Sequence, residues 1–114
     1  MISTQKRIAK ITNELISFFF TLDATNISVQ INEQDSQFEL LLSCNYNVEK
    51  SDRLKDLSYY LQTNRQVEME ECYWELAGEG CKDFELALIG MMTDSFKMEI
   101  NQNLLNLKLY KNKA

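Results

Sequence analysis

Histidine is absent from all 114 residues, and that removes more chemistry than any residue present supplies. Without imidazole there is no Ser-His-Asp triad, no Cys-His pair, no histidine metal ligand and no histidine phosphoacceptor. Any catalysis would rest on carboxylates, lysines, tyrosines or thiols. The thiols are Cys44, Cys72 and Cys81. Their odd number and lack of CxxC spacing fit reduced, small apolar side chains better than a disulfide framework or a zinc site, so neither a disulfide nor a structural metal is expected. Among the carboxylates, Glu14 lies on an amphipathic segment, where a glutamate is ordinarily a solvated charge. Gly78-Glu79-Gly80 is the one closely spaced glycine pair. A lone GxG is weak evidence for a phosphate loop, and the simpler reading of Gly78 is a helix stop.

Composition sets the outer limits. The chain is 45% hydrophobic and 25% charged, which is ordinary for a globular domain and far from the disordered regime. Its length fits a single domain over residues 1–114, burying about two-thirds of the surface of the unfolded chain. No apolar run approaches the roughly 18 residues needed to span a bilayer. The first helix carries Lys6, Arg7 and Lys10 rather than the apolar stretch of a signal peptide, so a cytoplasmic protein is expected. The net charge of −5 argues against a nucleic-acid partner, whose phosphates demand a basic face. Glu68, Glu70, Glu71, Glu75, Glu79, Asp83 and Glu85 make the later middle acidic, as solvated helix faces do.

The elements that must position these groups follow from hydrophobic spacing. Ser3 or Thr4 can cap a first helix on which Ile8, Ile11, Leu15, Phe18 and Leu22 recur at intervals of three and four, laying one apolar stripe over about five turns. Ile27, Val29 and Ile31 alternate with polar residues, as do Phe38, Leu40, Leu42 and Cys44, with the polar segment from Glu33 to Ser36 between them. This predicts a β-hairpin. Ser51 is a candidate N-cap for a helix from about Asp52 to Thr63 carrying Leu54, Leu57 and Leu61. A further helix is expected from Val67 to Ala77, closed by Gly78, and a short apolar one from Asp83 to Thr93. Phe96, Met98 and Ile100, a turn at Asn101-Gln102-Asn103, and Leu105, Leu107 and Leu109 make a second hairpin. The order α-β-β-α-α-α-β-β predicts an α+β fold, a two-layer α/β sandwich whose mainly antiparallel sheet of two hairpins is covered by helices on one face.

Two stretches carry a resemblance. NELISFFFTLDATNISVQINEQDSQFELLLSCN, from Asn13 to Asn45, and FELALIGMMTDSFKMEINQNLLNLKLYK, from Phe84 to Lys111, resemble in order and pattern the ATPase domain of sensor histidine kinases and anti-sigma-factor kinases, the GHKL or Bergerat family. The resemblance implies a histidine-kinase ATPase-like fold and a bacterial signalling role. It also implies where a nucleotide site would stand. The family's first helix carries an acid and, four residues later, an asparagine that helps hold Mg²⁺. The frame N-E-L-I-S-F aligns Glu14 with the acid, but Phe18 replaces the asparagine and offers no oxygen to a hard cation. The family's adenine-binding aspartate aligns with Cys44 and its first glycine with Tyr46, in the frame L-S-C-N-Y-N. A thiol hydrogen-bonds weakly, and a ring fills space that the nucleotide needs. Gly78 and Gly80 stand as a remnant of the phosphate-binding lid. Glu85 replaces a glycine in F-E-L-A-L-I, crowding carboxylates where phosphates would bind.

Each departure points the same way, and a scaffold without its site is no evidence of ATPase activity. The leading expectation is a non-catalytic regulatory or protein-interaction domain, with no cofactor, acting on a protein partner or by self-association. Apolar excess adds to it. Phe18, Phe19 and Phe20 are consecutive and sweep roughly 200° of a helix, so one must point away from the sheet. Tyr59, Tyr60, Tyr73 and Trp74 form an aromatic group suited to core packing or to an interface anchor. The alternative is an ATP-binding kinase of the anti-sigma-factor or histidine-kinase type with a divergent pocket, in which Glu14 would activate the attacking hydroxyl. An unrelated α+β fold is a third reading.

Overall fold

The computed structural model describes residues 3–62, 89–90 and 92–113. Their elements are helix α1 (Thr4–Thr21), strands β1 (Ile27–Glu33) and β2 (Gln37–Asn45), a single 3₁₀ turn at Val48–Lys50, helix α2 (Asp52–Gln62), and strands β3 (Ser95–Asn101) and β4 (Leu104–Asn112). The strands form one four-stranded sheet in the order β1-β2-β4-β3, with every neighbouring pair antiparallel. The two hairpins therefore meet through β2 and β4, and among the described residues β1 and β3 are the edges. The helix expected at Val67 to Ala77, with Tyr73, Trp74 and the remaining cysteines Cys72 and Cys81, lies outside the described residues. Of the helix expected from Asp83 to Thr93, Ile89, Gly90 and Met92 are described and helical.

Local chemistry accounts for α1 from end to end. The Ser3 side chain accepts from the Lys6 backbone N–H at 3.2 Å, satisfying one of the free donors of the first turn. At the other end Asp23 adopts a left-handed φ of 63°. The Asp23 N–H reaches the Phe20 carbonyl and the Ala24 N–H the Phe19 carbonyl, the paired bonds of a Schellman stop. The stripe Ile8, Ile11, Leu15, Phe18 and Leu22 is buried along its whole length. Phe19 is buried too, while Phe20 is 60% exposed: of the three consecutive rings, Phe20 is the one that points outward.

The sheet shows strict alternation. Phe38, Leu40, Leu42 and Cys44 of β2 and Leu105, Leu107 and Leu109 of β4 are buried, and they join the apolar residues of α1 and of α2 (Leu54, Leu57, Leu61) in one core cluster. Helices α1 and α2 thus cover the same face, a two-layer α+β arrangement. The outward-facing residues of the sheet are mostly polar, as one wetted face of an antiparallel sheet should be. Lys111 continues the buried row of β4, and its ammonium lies 3.6 Å from the Asp94 carboxylate.

One local expectation is corrected. Ser51 does not act as an extended N-cap; its backbone is already helical at φ −62° and ψ −20°. The capping residue is Asn47, extended at φ −79° and ψ 120°, whose side chain accepts from the Glu49 N–H at 3.1 Å and starts a 3₁₀ turn that runs into α2. Asn and Ser cap equally well; here the chain turns four residues before Ser51, so Asn47 is the one with free N–H groups ahead of it.

Candidate functional site

Helical spacing places Glu14 and Phe18 four residues apart on one side of α1, and strand parity places Cys44 on the helix-covered face of β2, with Tyr46 just beyond the end of that strand. The four residues are all buried: Glu14 is 9% exposed, Phe18 4%, Cys44 3% and Tyr46 7%. Phe18, Cys44 and Tyr46 belong to the same core cluster. Gly78, Gly80 and Glu85 lie outside the described residues.

Each buried group is already engaged. Phe18 packs edge-on against Phe19, with ring centroids 6.5 Å apart. The guanidinium of Arg53, from α2, sits 5.2 Å from the centre of the Phe18 ring, an attractive cation–π geometry. Tyr46 holds the β3–β4 turn with both ends of the residue. Its backbone N–H donates to the Asn103 carbonyl at 3.1 Å and its hydroxyl to the Gln102 carbonyl at 3.0 Å. Burial pushes the Cys44 thiol up to about 11, so at neutral pH it rests in the protonated form, which is the weak nucleophile of the pair. Glu14 is corrected from the solvated charge its helix position suggests. It is nearly enclosed, and its carboxylate accepts from the Lys10 ammonium at 3.0 Å across one turn of α1.

The arrangement offers little reactivity. The carboxylate is neutralised by a lysine, the thiol is protonated, and the phenol donates to a backbone carbonyl. Asn45, beside Cys44, is equally occupied: its side chain accepts from the Thr25 and Asn26 N–H groups and donates to the Thr25 hydroxyl, tying the α1–β1 connection to the end of β2. Among the described residues no group of three potential ligands converges on a metal position. Tyr46 forms one wall of an open groove between α2 and β3, along with Leu54, Met98 and Ile100. Another shallow hollow lies on the opposite, polar face of the sheet between Gln30, Leu41, Asn106 and Lys108.

Two features have no signal in residue spacing. Arg53 over Phe18 is a contact between separate helices, invisible until they pack. The second is the exposure of β1. Ile27, Val29 and Ile31 stand directly across from Cys44, Leu42 and Leu40, so they point to the helix-covered side, yet Val29 is 38% exposed and Ile31 45%. Alternation gives the side of the sheet and says nothing of which strand lies at its edge.

No protein-family model matches the chain, and no curated protein or solved structure matches it significantly.

Proposed function

We propose that this chain is a non-catalytic, regulatory protein-interaction domain on a scaffold resembling the GHKL ATPase domain, in which side chains have replaced the nucleotide. The observation that carries the reading is the joint burial of Phe18, Cys44 and Tyr46, the positions that the resemblance gives to a Mg²⁺ ligand, the adenine-binding aspartate and the first glycine. Each substitution exchanges a nucleotide-binding property for packing. Phe18 gains the Arg53 guanidinium in place of a metal ion, and Tyr46 spends its hydroxyl on the β3–β4 turn. The buried thiol of Cys44 is a poor acceptor for an adenine amino group.

Burying a ring of this size contributes about 1.5–3 kcal/mol relative to leaving it exposed, so filling the site strengthens the fold that a vacant pocket would weaken. What the chain offers partners is surface: Phe20 at the end of α1, and the edge and outer face of the sheet. A thermal-shift measurement with Mg-ATP and Mg-ADP tests the reading. The unfolding midpoint should not move with either nucleotide. A concentration-dependent rise would return the chain to the kinase reading.

A further inference from the structure

Edge strands normally carry devices that prevent pairing with another chain: a lysine or proline, a bulge, or very short length. Among the described residues β3, the edge beyond β4, carries Lys97 and Glu99. Among the described residues strand β1 shows none of these devices. Its seven residues, ISVQINE, contain no lysine, arginine or proline, and they pair with β2 one for one from Ile27 to Glu33 without a bulge. Its single charge, Glu33, is neutralised by the Lys113 ammonium at 2.7 Å.

The hydrogen bonds flanking β1 fix which backbone groups are spare. The Asn45 N–H donates to the Asn26 carbonyl and the Gln34 N–H to the Gln37 carbonyl, so Asn26 and Gln34 face β2. Because the direction alternates along an antiparallel strand, the N–H and C=O groups of Ile27, Val29, Ile31 and Glu33 face away from the sheet.

We propose that β1 is a self-association edge: two copies of this chain pair their β1 strands antiparallel about a two-fold axis through Gln30, merging two four-stranded sheets into one. In that register Val29 stands across from Ile31 of the second copy and Ile31 across from its Val29. Ile27 stands across from its Glu33. All four outward-facing residues then exchange backbone hydrogen bonds, and the exposed Val29 and Ile31 become two cross-strand apolar pairs. No like charges meet, because the two Glu33 residues lie at opposite ends of the seam. On the polar face Gln30 meets Gln30, and Ser28 meets Asn32. Sliding the register by two residues in either direction leaves one outward-facing residue of each strand unpaired. The inference rests on the proposed interaction role and names the partner as a second copy.

Sedimentation velocity over a concentration series is the test, backed by charge variants and a cross-link. The wild-type chain should reach twice its 13.4 kDa mass, and more readily at higher salt, because a net charge of −5 per chain opposes association until screened. V29K/I31K, which sets lysines across from one another, should be monomeric, with the unfolding midpoint that wild type shows at concentrations too low to dimerise. V29K/I31E sets each introduced lysine across from the introduced glutamate of the second copy in this register alone, and should restore the dimer. Gln30→Cys should form an intermolecular disulfide on mild oxidation, because a residue on the axis meets itself in a non-hydrogen-bonded pair, at a Cα separation of about 4.5 Å. Asn32→Cys, which faces Ser28, should cross-link no more than wild type. The cross-link remains decisive should a lysine variant not fold. A wild-type monomer at every concentration overturns the proposal, as does a dimer that survives V29K/I31K or fails to cross-link through Gln30→Cys; a monomer that captures an unrelated strand-forming peptide overturns it too. Any of these with nucleotide binding still absent leaves the interaction role standing with a different partner, whereas ATP binding removes the role itself.

Discussion

Cys44 shows how burial changes the meaning of a reactive residue. Its thiol is held protonated up to about pH 11 against an ordinary value of 9.0, so it contributes stability that is fully present below about 9, and that stability is lost as pH rises through 11. Denaturant midpoints should be flat in this group's contribution to pH 9 and then fall, and Cys44→Ala should remove that part of the alkaline slope. In the native protein at neutral pH, Cys44 should resist a thiol reagent that modifies it rapidly once unfolded. Gln102 holds a left-handed φ of 55° as the first of two turn residues, the position where two-residue hairpins favour glycine. Gln102→Gly should therefore stabilise the fold by about 1 kcal/mol in chemical denaturation, the relief of the left-handed strain outweighing the extra entropy of glycine. Tyr46 uses the backbone carbonyl of Gln102, which the substitution keeps.

At the scale of elements, α1 is the slab on which the described core rests. Leu15, at the middle of its stripe, is fully buried. Leu15→Ala should cost about 2–5 kcal/mol, the range for a large-to-small change in a packed interior, and an unchanged unfolding midpoint would remove α1 from the core. Periodicity made this element legible. Ile8, Ile11, Leu15, Phe18 and Leu22 repeat at the helical interval, and the alternating runs around Leu40 and Leu107 repeat at the strand interval; both repeats reflect burial on one side. The register of α2 was equally plain from Leu54, Leu57 and Leu61. Its start near Asp52 was legible as well, but its cap was not, because Asn47 and Ser51 are both good caps and only the path of the chain after β2 selects between them. The burial of Glu14 escapes residue spacing for a related reason. Helical position sets a residue's direction, while its exposure depends on what packs beside that direction.

At the scale of the whole molecule, the sheet divides the described structure into a helix-covered face, a polar face and two unlike edges. Sequence order supplied the two hairpins, but not the β1-β2-β4-β3 order that makes β1 an edge, so the exposure of Val29 and Ile31 could not be read from alternation. The candidate site was legible only through a resemblance, which supplied positions for Glu14, Phe18, Cys44 and Tyr46. Packing then supplied what these residues do: ring against guanidinium, hydroxyl against turn, thiol against core. The proposed loss of nucleotide binding is the consequence on which the functional account turns. Isothermal titration calorimetry of the full chain with millimolar Mg-ATP measures it most directly. The account predicts no binding heat. Saturable binding in the micromolar range, accompanied by the stabilisation of about 2.7 kcal/mol that a ligand confers at 100 times its Kd, would contradict it.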